Sequence, residues 1–208
     1  MKLQISFDLT DLDKAIDIAT QVVDQCDTIE IGTILLYTYG LDAVKRFRTT
    51  FAKKTLLVDT KLIDCAEPII EPIADAGADW ITVMAGSDKN AIHSMCKEAH
   101  KHNLKVMLDL SDASSRAQSA MEAKNLGADA LIFHHIYDDD AALIFLDKWQ
   151  MIKGNASLPI YISAHINQSS FNQMVGLNPN GLIIGRSIVN AEDPKEEAQY
   201  YYNILLKD

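Results

Sequence analysis

The chemistry of this chain concentrates in Leu56-Leu57-Val58-Asp59-Thr60-Lys61-Leu62-Ile63-Asp64, where an apolar run ends in two carboxylates and an ammonium. It reads as a buried strand delivering its charges at the C-terminal end. Side chains of an extended segment alternate faces, so Asp59 and Lys61 are expected to point one way and Thr60 the other, with Asp64 within reach on the following loop. A carboxylate held beside an amine keeps both ionised near neutral pH. It also offers a hard cation an oxygen ligand and leaves positive charge to meet an anion developing on a substrate. The same spacing describes an exposed salt bridge at a strand end, a contact of small worth.

Other candidate residues gain meaning from the elements that carry them. Lys2 to Asp8 is a short apolar run ending in an acid, followed by a helical pattern through Leu12, Ala15, Ile16, Ala19, Val22 and Val23. Thr28 to Ile31 forms a second strand, with a helix from about Leu41 to Phe51. The third strand, Thr55 to Asp59, precedes a helix from about Glu67 to Ala76, in which Pro72 implies a kink or interruption. Ala76-Gly77-Ala78-Asp79-Trp80-Ile81-Thr82-Val83 and Leu126-Gly127-Ala128-Asp129-Ala130-Leu131-Ile132-Phe133 share one grammar, and Gly77 is expected to close its helix in the left-handed conformation. Between them lie a helix from Asp88 to His102, a strand from Lys105 to Asp109 and a helix from Ser115 to Leu126. Beyond them follow a helix from about Asp139 to Met151, a strand from Leu158 to Ser163, a short helix from Ser170 to Val175, a strand from Gly181 to Ile184, and a last helix opened by Pro194.

Strands alternating with helices over short connections require parallel pairing, which leaves an open doubly wound sheet or a closed barrel. Eight near-equal units favour a single (β/α)8 barrel over residues 1–208, and no G-x-G-x-x-G follows the first strand to suggest a dinucleotide-binding sheet. In a barrel the chemistry gathers at the C-terminal strand ends. Those ends are Asp8, Glu30, Asp59 with Lys61, Asp109, His134 with His135, Ser163 with His165, and Gly185 with Arg186. Glu30 and Asp59 end adjacent strands, where two carboxylates can share a magnesium ion. An imidazole at His134 or His135 can move a proton, and alternation suggests that only one faces inward, with His134 favoured. Gly185 exposes backbone amides beside the Arg186 guanidinium, a corner that suits a phosphate.

Composition limits the partners. The 208 residues are 48% hydrophobic and carry a net charge of −10, with no basic stripe, so a nucleic acid is not an expected partner. Met1 to Asp8 is too short and too soon charged for a signal peptide, and no apolar run reaches membrane-spanning length; a cytoplasmic protein is expected. Cys26, Cys65 and Cys96 lack zinc spacing and are expected to be reduced, Cys65 lying beside the charged cluster.

Asp59-Thr60-Lys61-Leu62-Ile63-Asp64 resembles the D-x-K-x-x-D motif of the orotidine 5'-phosphate decarboxylase suprafamily. Met1-Lys2-Leu3-Gln4, Ile29-Glu30-Ile31-Gly32-Thr33, Ala78-Asp79-Trp80-Ile81-Thr82-Val83 and Gly185-Arg186-Ser187-Ile188 are similar to its sugar-phosphate branch, the 3-hexulose-6-phosphate synthases and 3-keto-L-gulonate-6-phosphate decarboxylases. The resemblance implies a magnesium-stabilised enediolate and a homodimer in which Asp64 is lent to the neighbouring subunit's site. By motif, Asp8 would touch substrate hydroxyls, Glu30 and Asp59 would hold the metal, Lys61 would stabilise the enediolate and His134 would shuttle the proton. Asp109 stands where the synthases carry Asp and the decarboxylases tend to carry Glu. Tyr137-Asp138 resembles the synthase turn, whereas Ile29 to Leu35 and Gly185 to Ile188 are closer to the decarboxylases. The chain departs from these relatives at Ser163-Ala164-His165, where a Gly-Gly pair is usual, at His135-Ile136 and at Ala66-Glu67-Pro68. His165 is expected to replace the missing phosphate contact. The expected activity is magnesium-dependent condensation of formaldehyde with D-ribulose 5-phosphate; the alternatives are the decarboxylation and a non-catalytic sugar-phosphate-binding protein. A Schiff-base lysine is disfavoured because two carboxylates keep Lys61 protonated.

Overall fold

The computed structural model describes residues 1–134 and 142–206, with side chains described for all of these except 142–144. Eight parallel strands close in sequence order, β1 pairing with β8. They are β1 (Lys2–Phe7), β2 (Thr28–Ile31), β3 (Thr55–Leu62), β4 (Trp80–Met84), β5 (Lys105–Asp109), β6 (Ala130–His134), β7 (Ile160–Ser163) and β8 (Gly181–Ile184). The helices are α1 (Leu12–Val22), α2 (Thr33–Tyr39), α3 (Leu41–Thr50), α4 (Ala66–Asp75), α5 (Lys89–Lys101), α6 (Arg116–Leu126), α7 (Ala142–Asn155), α8 (Gln168–Gly176), α9 (Arg186–Val189) and α10 (Pro194–Leu205). The expected (β/α)8 barrel is therefore the fold.

Alternation along the strands divides the core in two. Leu3, Ile5 and Phe7 on β1, Ile81 and Val83 on β4, and Leu131 and Phe133 on β6 are buried in one large cluster with the apolar faces of the helices. The intervening positions Leu57, Met107, Ile132, Tyr161 and Ile183 form a separate cluster inside the barrel. Above that apolar layer the inward positions become polar, at Ser6, Glu30, Asp59, Thr82 and Asp109. The apolar layer excludes water from below and leaves the polar layer a floor.

A fourfold device fixes the N-terminal end. Leu3, Leu56, Val106 and Ile160, near the starts of the odd-numbered strands, donate their N–H groups to side-chain oxygens of Asp27, Asp79, Asp129 and Asn180, each at 2.8 Å. Those four residues return their own N–H groups to the carbonyls of the same partners, at 2.8 Å for Asp27 and 2.9 Å for the others. Each clamp thus joins an odd strand to the even strand after it. The repeated Ala-Asp grammar before β4 and β6 is the sequence trace of this device, and Gly77 and Gly127, at φ +103° and +99°, admit the chain from helix to clamp.

Several boundaries differ from expectation. Residues Thr33 to Tyr39 form a helix that the apolar, β-branched run Thr33-Ile34-Leu35-Leu36 does not announce, and Gly40 at φ +58° separates it from α3. β3 runs on to Leu62, beyond its expected end at Asp59. Helix α4 passes through Pro72 without a break, because the carbonyl that loses its donor, that of Pro68, lies in the first turn. Asn167 caps α8 with a reciprocal bond from Ser170, so α8 starts earlier than Ser170. The expected start of α7 at Asp139 lies outside the described residues.

Candidate active site

The polar layer opens into a cavity of about 540 Å³ at the C-terminal end of the barrel. Asp8, Glu30, Asp59, Lys61, His134, His165, Gly185 and Arg186 all line it. Eight of the ten candidate residues thus converge on one space. Asp109 lies just beneath, its side chain almost wholly buried, and reaches the cavity through its partners.

Lys61 is the hub. Its Nζ lies 3.0 Å from Asp59 Oδ2 and 3.2 Å from Asp109 Oδ2. Asp109 Oδ2 in turn lies 3.7 Å from His134 Nδ1, so carboxylate, ammonium, carboxylate and imidazole form one chain of charge. Burial by itself would push the Asp109 carboxyl up. The His134 contact, the Lys61 charge and the Ser111 N–H outweigh it and hold the group at about 2. Burial also works against a charged Lys61, yet the two carboxylates raise its affinity for the proton. Lys61 is therefore an ammonium throughout the physiological range.

Asp59 and Lys61 share the cavity face, as alternation leads one to expect, but the strand between them is not regular. The β3–β4 register runs Val58 with Ile81 and then jumps to Leu62 with Val83, so residues 59–61 bulge opposite Thr82 alone. Lys61 adopts φ +47°, a left-handed conformation uncommon for a side chain of its kind. The bulge and the left-handed turn at Lys61 are the part that no period-two rule contains.

Glu30, inside β2, receives a hydrogen bond from Gln4 Nε2 at 2.5 Å and from Ser6 Oγ at 2.7 Å. Burial and then the neighbouring Asp59 carboxylate push its carboxyl up to about 7. Two carboxylates that repel one another in a buried place are a donor set that a cation would relieve. Each Glu30 oxygen has one side-chain donor and a lone pair to spare. The oxygen Gln4 Oε1, fully buried, has no hydrogen-bond partner. Among the described residues no three or more His, Cys, Asp or Glu side chains gather as a metal cage. The pair fits a hard ion that keeps waters or substrate oxygens, as magnesium does.

At the opposite rim, Gly185 precedes α9, and Ser187 Oγ donates to the Ile166 carbonyl at 2.5 Å, tying the β8 corner to the loop after β7. Arg186 and His165 are exposed beside it, and Ser187, Asn167 and Asn190 add polar groups that sequence reasoning passed over. Their signal was closeness in sequence, of Ser187 and Asn190 to the Gly185-Arg186 corner and of Asn167 to His165. Asp8 has two tasks. Its Oδ1 accepts the Ile34 N–H at 2.7 Å and caps α2, and a Cβ on Gly32 would stand 2.7 Å from that oxygen. Glycine is required there by close approach.

Asp64 is not brought to the cavity by its own chain. It lies exposed, beside the left-handed Cys65 that turns the backbone outward into α4. Cys65 is likewise exposed, whereas burial pushes the thiols of Cys26 and Cys96 up to about 12. His135, Ile136, Tyr137 and Asp138 lie outside the described residues.

Comparison with known proteins agrees with this geometry. The model of the orotidine 5'-phosphate decarboxylase / HUMPS family matches residues 1–201. A 3-hexulose-6-phosphate synthase of Staphylococcus aureus strain USA300 is 30% identical over 201 residues, covering 96% of each chain. The crystal structure of 3-hexulose-6-phosphate synthase from Salmonella typhimurium superposes with a TM-score of 0.90 at 30% identity, covering 100% of this chain and 99% of that one. The 3-keto-L-gulonate-6-phosphate decarboxylase of Vibrio cholerae superposes with a TM-score of 0.84 at 27% identity, covering 99% of this chain and 97% of that one. A barrel that sets Asp59 and Lys61 of the D-x-K-x-x-D motif on one cavity, and that the model matches over residues 1–201, belongs to the orotidine 5'-phosphate decarboxylase / HUMPS family.

Proposed function

We propose that this protein is a magnesium-dependent lyase that condenses formaldehyde with D-ribulose 5-phosphate to give the 3-hexulose 6-phosphate. The observation that carries the reading is the chain Asp59–Lys61–Asp109–His134 along one wall of the cavity. It sets a cation and a proton acceptor side by side. Glu30 and Asp59 would hold magnesium, which supplies Lewis-acid charge to neighbouring substrate oxygens. His134 takes a proton from C1 of the pentulose phosphate, leaving an enediolate. The Lys61 ammonium faces the negative charge that develops, and Asp109, itself ionised, keeps both partners in place. The enediolate carbon bonds to the formaldehyde carbon, and the resulting alkoxide takes the proton back from His134. Asp8 meets substrate hydroxyls, while Gly185, Arg186 and His165 meet the phosphate.

A second reading is decarboxylation of 3-keto-L-gulonate 6-phosphate, favoured by the likeness to the Vibrio cholerae decarboxylase. Asp109 favours the condensation, because the synthases carry Asp at this position and the decarboxylases tend to carry Glu. A homodimer would complete the site. Asp64 is exposed beside Ile63, itself 60% exposed, and α2 also leaves Ile34 and Tyr37 exposed, at 45% and 82%. The test is formaldehyde-dependent consumption of ribulose 5-phosphate, with and without chelator. Binding of the sugar phosphate with no turnover of either substrate would identify a non-catalytic member.

A further inference from the structure

We infer that Thr82 is a positioning residue that sets both charged groups of the motif through a single hydroxyl; the inference rests on the roles proposed above for Asp59 and Lys61. Thr82 is fully buried and faces the bulge of residues 59–61 across the sheet. All three bulged residues bond to it. Its Oγ1 accepts the backbone N–H of Lys61 at 2.9 Å and donates to Asp59 Oδ1 at 2.8 Å, while its carbonyl accepts the Thr60 hydroxyl at 2.6 Å.

The order of these bonds is fixed by proton count. An amide can only donate, so the Thr82 oxygen must accept from Lys61, and its one O–H proton then goes to Asp59. The hydroxyl replaces the ladder bond that the bulge removes, and it gives the left-handed Lys61 its only side-chain anchor on the backbone among the described residues. Thr33 Oγ1 holds the other oxygen, Asp59 Oδ2, at 2.6 Å. With one threonine on each oxygen, Asp59 is held independently of its contact with Lys61.

Valine has the shape of threonine without the hydroxyl, so Thr82→Val removes both bonds and little volume. We expect the Lys61 amide to exchange its hydrogen at least about tenfold faster in the substrate-free protein, with global exchange unaltered. We expect kcat for the sugar phosphate to fall by roughly 10–100-fold with KM changed less than about threefold, because displaced groups harm the transition state more than phosphate binding. Thr82→Ser should restore both, and Thr33→Val should leave Lys61 exchange as in the wild type. If the valine variant does not fold, Thr82→Ala supplies the same readouts. Wild-type exchange at Lys61 in a folded variant lacking the hydroxyl, or a serine variant as impaired as the valine, would overturn the proposal. Should the wild type turn over neither sugar phosphate, the proposed reaction fails, and the exchange measurement still decides the role of Thr82.

Discussion

At the scale of residues, charge position decides what the site can do. Asp59→Asn and Lys61→Ala are each expected to lower turnover at least about a thousandfold while the fold survives, since both side chains sit at the mouth above the apolar layer. Steady-state kinetics with circular dichroism on the same samples checks this. Acidity separates the two buried carboxylates. The Glu30 carboxyl, raised to about 7, contributes stability below its ordinary value of 4.5 and loses it as pH rises through 7. Metal-free protein should therefore lose on the order of 2 kcal/mol between pH 5 and 8 in urea titrations, and Glu30→Gln should flatten that slope. Magnesium affinity should run the opposite way, strengthening as pH rises through 7 and Glu30 gives up its proton. Asp109, lowered to about 2, has the opposite sign to Glu30, stabilising above about 4 and losing that contribution as pH falls toward 2. The residue types and the cluster were legible in the sequence because D-x-K-x-x-D places three charges in six positions. The mechanism of their meeting was not. It depends on a bulge and a left-handed lysine, which are set by Thr82 on the neighbouring strand and lie beyond any local period.

At the scale of elements, the barrel is held open for chemistry at one end by being clamped at the other. Asp129→Ala should cost about 1–3 kcal/mol in denaturant unfolding, since the Val106 N–H would be buried without an acceptor. Asp129→Asn should be nearly neutral, because Asn180 already performs the same task before β8. Asp79→Ala should cost more, as it also takes the carboxylate partner, 2.6 Å away, from Arg48 Nη2. A larger effect on turnover than on unfolding would contradict a structural role for these clamps. Alternation of apolar runs and helical patterns made all eight strands readable. Helix α2 was missed because Thr33 to Tyr39 carries an apolar face toward β3 and another toward solvent, a pattern with no single stripe. Its start is fixed from outside, by Asp8 on the far side of Gly32.

At the scale of the whole molecule, the proposed sharing of Asp64 between two subunits predicts complementation. Asp64→Asn and Lys61→Ala are each expected to be inactive alone. Refolded together, they should recover about a quarter of wild-type activity, half the dimers being mixed and each mixed dimer holding one intact site. No recovery from a mixture shown by sedimentation to contain mixed dimers would mean that Asp64 serves its own chain or none. The reaction itself is tested most directly by presenting one preparation, with magnesium, with both substrates: formaldehyde plus D-ribulose 5-phosphate, and 3-keto-L-gulonate 6-phosphate. An Asp rather than a Glu at position 109, as in the synthases, predicts a higher kcat/KM for the condensation, with slower decarboxylation as a side activity. A higher kcat/KM for decarboxylation would contradict it.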